Sequence, residues 1–440
     1  MAVAAIAGLA SVGGAYATAV AAGVAFGLTA AATAFAIGAG LSIISRALMP
    51  KPNFGSMLNY GLTTTLRDPA STRKVIYVKI RVGGSVVFIT NSNSNKDLYL
   101  VIAFAGHEVE SFESIWFNDQ KVGENGSFVA NWSSYADFGI HKGDQTASDS
   151  VLTSVSPDWT STHILNGIAY LRVKMVWDED RVKFPNGVPN VSAIIKGKKV
   201  YDPRKDSTSS VYDSSLGTGT HRADTAATWE WSQNPALCIR DYLTNETYGL
   251  GEDSDAIDLT SIASVADICD EQVTLDAGGT QDRYHCDGVV DTGTSLKANI
   301  EALVACMGGR VGYVDGKYFV QAAEYETPTI TISEEHMVGP LTVQTKQSRR
   351  SVYNGVKGTF VSEEENYVVA DYPSKIDSTY ATEDGDPIYL DMPLPFVTNQ
   401  QRAQRLAKIA LQRSRQQTLV TVPLNLAALQ FKAGDFINIT

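Results

Sequence analysis

The first 45 residues of this 440-residue chain contain no charged side chain, and Arg46 is the first ion. Ala, Gly, Val, Ile, Leu and Phe make up almost all of the run, whereas the sequence from residue 72 onwards is polar, acidic and strand-like. A single soluble molecule does not tolerate so large an exposed apolar surface. The two parts therefore occupy different surroundings, or several copies of the chain bury the segment together.

This apolar arm, residues 1–50, differs from a secretory signal. A signal needs a basic region ahead of an apolar core of about 7–15 residues, and no Lys or Arg precedes Arg46. Two spans of about 20 residues would fit, so a helical hairpin across a bilayer is geometrically allowed. Glycines supply the candidate breaks and helix-packing positions, because small residues let helices approach closely: Gly13, Gly14, Gly23, Gly27 and Gly38.

Two interpretations of the arm stay open. It is a helical plug packed at the axis of an oligomer, or a plug that later enters a membrane. Helices rich in Ala insert into bilayers only marginally. This favours packing against partner helices in the resting state.

Charge and cysteine content exclude some classes of function. A formal net charge of −12 argues against a protein that grips nucleic acid through its phosphates, although a passage for DNA would gain from an acidic or neutral lining. No C-x-x-C pair occurs among Cys238, Cys269, Cys286 and Cys306. Zinc and a disulfide framework are therefore not indicated, and we expect buried thiols in a reducing compartment.

Short apolar runs broken by Gly, Asn and Asp predict a first β domain at residues 57–205. Its expected strands include a hairpin turning at Gly83–Gly84 and runs at 98–104, 112–117 and 167–176. Polar residues at about 123–163 predict an insertion. A Ser, Thr and Gly-rich stretch at 206–232 reads as a linker or variable loop.

The remaining sequence predicts two further modules. An α+β domain at 233–327 has helices near 236–243, 257–270 and 295–306, then a hairpin turning at Asp315–Gly316. A second β domain at 328–440 has strands at 329–333, 341–345 and 352–361 and an amphipathic surface helix at 399–417 with a solvated basic face. Because the chain ends in a strand-like run, we expect it to continue beyond Thr440.

No group of residues predicts catalysis, a cofactor or a metal. His107 and Glu108 lack the second His of the helical zinc motif, and an exposed loop explains them. In the run His285, Cys286 and Asp287, neighbouring strand residues point to opposite faces and cannot act as a nucleophile and base pair. We expect a protein that is not an enzyme.

A specific motif spans 231–243, in which Asn234, Pro235, Asp241 and Tyr242 lie, and the run 248–251, which includes Gly249 and Gly251, closes it. Together with several other stretches, this motif resembles the lambda-type tip attachment protein J family, the central hub at the tip of long flexible phage tails. The resemblance covers about residues 60–440 and also rests on the stretches 72–77, 81–84, 194–204, 286–290 and 308–316.

The resemblance implies a mainly β, multi-domain hub of barrel- or sandwich-like domains with α+β modules around a threefold axis. It implies a homotrimer that closes the tail tube of the virion and opens for DNA ejection. The implied partners are other tip proteins, the ring that joins tube to tip, and the tape-measure protein. Receptor binding would belong to regions beyond this chain, and assembly would occur in the host cytoplasm.

Two rival functions stay open at this stage. A membrane-anchored surface adhesin would use the arm as its anchor, but Arg46 and Lys51 supply only a thin basic flank. A secreted glycan hydrolase would need paired carboxylates in a cleft, and such partners can be far apart in sequence.

Overall fold

The computed structural model describes residues 63–66, 71–129, 131–177, 180, 183–276, 278–348 and 352–440. The predicted apolar arm at 1–50 lies outside the described residues, and so do its candidate packing positions, namely Gly13, Gly14, Gly23, Gly27 and Gly38.

A two-sheet β sandwich forms the first part of the fold. Five strands pair antiparallel in the order β2-β10-β5-β6-β7, and four in the order β3-β4-β9-β8. The inward-facing residues of the two sheets, among them Ile102 and Ile195, are fully buried in one apolar cluster. The elements are β1 (Lys74–Tyr77), β2 (Lys79–Gly83), β3 (Ser85–Ser92), β4 (Asp97–Ala105), β5 (Ser111–Phe117), β6 (Gln120–Glu124), β7 (Ser127–Phe128), β8 (Ala136–His141), α1 (Ser150–Val155), β9 (Ala169–Val176) and β10 (Val191–Lys196).

The hairpin predicted at Gly83–Gly84 is wrong. β2 pairs with β10 and β3 pairs with β4, so the two glycines carry the chain from one sheet to the other. A Cβ atom on Gly83 would lie 2.4 Å from the Thr64 carbonyl oxygen, and one on Gly84 would lie 2.5 Å from the Ala103 carbonyl oxygen. Glycine is needed here for a close backbone approach, which sequence alone does not distinguish from a turn.

The predicted insertion is smaller than the stretch 123–163. β8 belongs to the four-stranded sheet, and only the segment between β8 and β9 leaves it. There Leu152 of α1 and Trp159, which follows the helix, pack against Tyr170 on the outer face of that sheet. Asp149 holds this segment in place, because its carboxylate accepts hydrogen bonds from the Leu152 amide (2.9 Å) and the Arg172 guanidinium (3.1 Å).

The second part is α+β. The three helices and the hairpin at Asp315–Gly316 are confirmed, and Asn234, Asp258 and Ser295 cap the helices with their side chains. β1 leaves the sandwich to pair antiparallel with β15, which joins the two parts. The elements are β11 (Lys199–Val200), β12 (Glu230–Trp231), α2 (Pro235–Thr244), α3 (Leu259–Asp270), β13 (Gln272–Thr274), β14 (Thr280–Asp282), β15 (Gly288–Asp291), α4 (Leu296–Ala305), β16 (Arg310–Val314) and β17 (Lys317–Gln321).

The residues after 328 lie in two packing environments. A three-stranded sheet, β21-β20-β22, and the helix α6 share one apolar core with α2, α3 and α4. The short pairs β18–β24 and β19–β23 instead cover a separate small cluster of Ile332, Val422 and Leu424. The elements are β18 (Ile330–Ile332), β19 (Thr342–Gln344), β20 (Gly355–Ser362), β21 (Val368–Ile376), α5 (Ser378–Asp384), β22 (Tyr389–Asp391), α6 (Gln400–Arg415), β23 (Leu419–Thr421) and β24 (Ile437–Ile439). A single domain at 328–440 stays a prediction.

The helix predicted at 399–417 is confirmed as α6, capped by Asn399, but its basic face is not a freely solvated surface. Arg402, Arg405 and Arg413 donate to the carbonyl oxygens of Asp282 (3.2 Å), Arg283 (2.6 Å) and Gly308 (2.6 Å), respectively. The helix is therefore a packing element whose arginines attach it to the rest of the molecule.

Candidate functional site: a buried polar network between the sandwich and the helices

The motif residues Asn234 and Pro235 begin α2 and attach it to α3. The Asn234 side chain accepts from the Ala236 amide (3.0 Å), while its amide nitrogen donates to the Ala266 carbonyl (2.8 Å) and the Asp270 carboxylate (2.8 Å). Pro235 suits the first helical position because its missing N–H would be unpaired there. Asn234 is buried, so its bonds to Ala236 and Ala266 are made away from water, whereas the Asp270 carboxylate is half exposed.

Asp241, on the last turns of α2, is the centre of what we term the Asp241 network, which comprises Tyr77, Lys198, Asp241 and Tyr248. The hydroxyl groups of Tyr77 and Tyr248 both donate to Asp241 Oδ2 at 2.6 Å, and Lys198 Nζ lies 3.3 Å from Oδ1. Lys198 also donates to the Tyr248 hydroxyl. The network joins β1, the β10–β11 connection and α2 at one carboxylate.

The electrostatics keep the two phenols of this network protonated. Burial, and after it the negative charge of Asp241, raises the pKa of Tyr77 and the pKa of Tyr248 well above the ordinary value for tyrosine. Both phenols therefore remain hydrogen-bond donors. A buried carboxylate with three charged or hydroxyl partners is stable only while all of them are present.

His107 supports β1 from the other side. Its Nε2 accepts from the Ile76 amide at 2.9 Å and its Nδ1 donates to the Glu108 carbonyl at 2.7 Å. Burial, aided by the Lys198 cation, lowers the pKa of His107 to about 4, so the ring is neutral at pH 7. The prediction of an exposed loop is wrong for His107, because its ring is buried against β1. Glu108 is exposed.

The other motif residues close the end of α2. Tyr242 is fully buried and its hydroxyl accepts from Asn299 Nδ2 of α4 at 3.0 Å. A Cβ atom on Gly249 would lie 1.9 Å from the Tyr242 carbonyl oxygen, which accepts from the Leu250 amide at 2.9 Å. Gly251 has a φ of +73°. The chain after α2 thus folds back tightly on the helix, and Tyr248 reaches Asp241 as a result.

His285, Cys286 and Asp287 lie just before β15 instead of in a strand, and they make separate contacts. His285 Nε2 pairs with Asp282 at 2.6 Å, whereas Asp287 accepts from the Thr398 hydroxyl at 2.6 Å. Cys286 contacts Cys238 and Cys306 in the core; the Cys238 contact lowers the pKa of Cys286, but the Cys306 contact and then burial raise it well above its ordinary value. All four cysteines are buried free thiols, which confirms that prediction.

Most of the stretch predicted as a linker at 206–232 is exposed, and buried residues such as Asp206 and His221 attach it to the segment before it. Arg204 pairs with Asp202 (2.8 Å), Asp267 (2.7 Å) and Asp270 (2.9 Å), and Tyr201 donates to Asp206 at 2.7 Å. Beside them is a cavity of about 270 Å³ with His221 and Glu230 in its lining. The charged groups there are largely paired with one another.

These arrangements serve packing and attachment. In the part of the chain that the structure describes, no three His, Cys, Asp or Glu side chains are grouped to hold a metal ion. The described helices are all too short or too polar to cross a bilayer.

Residues 295–440 match the protein family described as "Putative phage tail protein". The resemblance to phage tail proteins is confirmed. The chain is similar to the tip attachment protein J of Escherichia phage SECphi27, with 26% identity over 265 residues, which make up 59% of this chain and 21% of that protein. It is also similar to the baseplate hub protein pb3 of Escherichia phage T5, with 23% identity over 359 residues, which make up 65% of this chain and 35% of that protein.

The chain therefore spans between 21% and 35% of the length of these curated relatives. A solved chain from the virion of a native gene transfer agent particle aligns with a TM-score of 0.61 at 12% identity, covering 86% of this chain and 80% of that one. That match shows a shared fold. The expectation of a mainly β protein with α+β modules is confirmed.

Three of the stretches that carried the resemblance meet in the Asp241 network. Tyr77 comes from 72–77, Lys198 from 194–204, and Asp241 from 231–243, with Tyr248 just beyond. The stretches that carried the resemblance contain Tyr77, Lys198 and Tyr248, but the sequence did not predict that they meet at Asp241, that His107 is buried or that Asn299 bonds to Tyr242. A tyrosine inside an apolar strand and a lysine between two strands were the available signals, because both must find a polar partner when buried.

Proposed function

We propose that this chain is a structural protein of a phage virion, the central hub at the tip of a long non-contractile tail. In this proposal three copies surround the tail axis and close the tube. The names of the matched relatives, a tip attachment protein and a baseplate hub protein, support the assignment. The virion chain that shares its fold is consistent with it.

The observation that carries the proposal is the Asp241 network. Its carboxylate and its two phenols are hydrogen-bonded to each other and buried, with Asp241 3% exposed and Tyr77 0% exposed. Chemistry on a substrate would need such groups to be reachable, whereas a hub needs its domains held at constant angles under load. A buried, fully paired network between two parts supplies that rigidity.

The apolar arm is proposed as the plug of the tube. Three arms around one axis would bury a surface that one copy cannot hide. In the proposed mechanism, receptor engagement opens the hub, frees the arms for DNA passage, and allows them to enter the host membrane. The net charge of −12 suits a lumen through which DNA passes without being bound.

The proposed partners are the other tail tip proteins, the ring that joins tube and tip, and the tape-measure protein. The host receptor would be contacted by regions beyond this chain. The hub would assemble in the host cytoplasm and remain in the virion.

Cryo-electron microscopy of a purified particle, with native mass spectrometry of the full chain, tests the hub assignment. We expect three copies on the tail axis at the tip. A monomer away from the axis would overturn it. Incubation of the same full chain with peptidoglycan fragments should release no sugar, and released fragments would favour the hydrolase instead.

The membrane step needs a separate test. A peptide of residues 1–48 should release dye from liposomes, and a Gly27→Leu variant should release less because it removes a small-residue contact. Inert peptides would remove the membrane step and leave the plug.

A further inference from the structure

The C-terminal module, which we define as residues 325–348 and 417–440, buries little and exposes much. Only Ile332, Val422 and Leu424 form its buried cluster. Eight large apolar side chains of the module are exposed, by 39% to 74% of their surface. They are Tyr325, Val338, Leu341, Val343, Leu426, Leu429, Phe436 and Ile439.

The strands of this module are incompletely paired. β18 and β24 form a two-stranded parallel sheet, β19 and β23 form a two-stranded antiparallel sheet, and every residue of β19 is exposed. Two-stranded sheets are marginal by themselves, and parallel strands are normally covered on both faces. Within the described residues the pairs pack on the small cluster of Ile332, Val422 and Leu424, but no further layer covers their exposed side chains. The module therefore has the character of an interface.

A second incomplete surface lies on the sandwich. β3 is an edge strand of its sheet, and beyond Val86 its outer edge pairs with no other described strand. Beside it is a groove of about 570 Å³, which we call the β3 groove, with Arg73, Lys74, Phe88 and Phe104 in its lining. Val87 is 53% exposed there and Ile89 is 49% exposed.

The two surfaces carry opposite charge. Arg73 is exposed and has no carboxylate partner within the described residues. On the C-terminal module, Glu326, Glu334 and Glu335 have no basic partner among the residues that the structure describes. An apolar patch flanked by unpaired carboxylates thus matches an apolar groove flanked by an unpaired guanidinium.

We propose that the C-terminal module of one copy of this chain docks in the β3 groove of the next copy around the ring. The proposal rests on the homotrimer of the proposed function and names the surfaces that build it. A cyclic trimer needs two different complementary patches on each copy, since each subunit contacts its neighbours head to tail. The exposed edge of β3 would receive strand residues of the neighbouring module.

Paired cysteines test which surfaces meet. In the full chain in mild detergent, the double variant Val87→Cys with Val343→Cys, treated with a bis-maleimide, should give covalent dimers and trimers. The four native cysteines are buried and add little background. The matched control combines Val87→Cys with Tyr313→Cys, a residue that is 55% exposed but lies outside both surfaces, and should stay monomeric on a denaturing gel.

A charge exchange provides the second test. Glu334→Arg with Glu335→Arg should lower the trimer fraction in mass photometry several-fold at low salt, and adding Arg73→Glu should restore most of it. Glu364→Arg, on an exposed turn outside both surfaces, should leave the trimer fraction unchanged. If the wild-type chain is monomeric, the proposed function itself fails. If it is trimeric, while Val343→Cys crosslinks only to itself or the charge exchange restores nothing, the docking proposal is overturned and the hub assignment stands.

Discussion

The Asp241 network and the C-terminal module differ in how their polar groups and apolar side chains are covered by the described residues. In the network, two phenols and a lysine satisfy one buried carboxylate inside a continuous core. In the module, two-stranded sheets leave their edges open and apolar side chains such as Leu429 exposed. The first arrangement stabilises the chain by itself, whereas in the docking proposal the second gains its stability from a neighbouring copy. Substitutions in the two regions should therefore affect different measurements.

The largest effect is expected for Asp241→Ala. It leaves the Tyr77 and Tyr248 hydroxyls buried without their acceptor and removes the carboxylate that pairs with Lys198, which costs about 3–5 kcal/mol of unfolding free energy. Chemical denaturation of the full chain measures it. Asp255→Ala, on an exposed turn of the same part, should change the value by less than about 0.5 kcal/mol. Equal values for the two variants would contradict a structural role for the network.

Leu406→Ala and Leu429→Ala compare the stability cost of truncating a core side chain with that of truncating an exposed side chain of the C-terminal module. Leu406 is 1% exposed on α6, so its truncation should cost about 3 kcal/mol of unfolding free energy by leaving a cavity. Leu429 is 65% exposed, and Leu429→Ala should leave thermal unfolding of the isolated subunit near the wild-type value. A strong destabilisation by Leu429→Ala would mean that the module has a core of its own.

Gly249→Ala should cost about 2 kcal/mol through overpacking, because the added methyl group meets the Tyr242 carbonyl oxygen. Gly106→Ala is the matched control, since its nearest contact is the flexible Arg73 side chain at 3.2 Å. Thermal unfolding compares the two. A wild-type midpoint for Gly249→Ala would show that the segment after α2 can shift without loss.

The smallest effect is a local pH dependence at Asp149. Burial opposes its ionisation, but hydrogen bonds from His141 and the Leu152 amide, with the Arg172 charge, lower the pKa of Asp149 to about 2. Because this value is below that of the unfolded chain, the stabilisation of about 1–2 kcal/mol is present above about pH 4 and is lost as the pH falls towards 2.

Hydrogen exchange of residues 149–165 between pH 5 and 2.5 measures that loss. The wild type should lose protection on acidification, whereas Asp149→Asn should be less protected already at pH 5 and change little. A pH-independent exchange rate in the wild type would contradict the assignment of Asp149 as the attachment point.

Local patterns predicted local structure well and long-range pairing poorly. The helices near 236–243 and 295–306 were predicted correctly because helix signals, including the residues that the structure shows as caps, Asn234 and Ser295, depend on neighbouring residues alone. Gly83–Gly84 was misread because a close approach to Thr64 and Ala103 is made by residues distant in sequence. The burial of His107 and the contacts of Arg402 were missed for the same reason, since each partner comes from another element.

The sequence by itself determined the apolar arm, the types of most elements, and the resemblance to phage tail proteins, because composition, periodicity and capping are properties of short stretches. Only the tertiary structure decided that Tyr77, Lys198 and Tyr248 converge on Asp241. It also decided that the other described residues leave the edge of β3 and the C-terminal module incompletely covered. The physical reason is that burial and pairing depend on which distant segments meet, and a one-dimensional pattern does not contain that information.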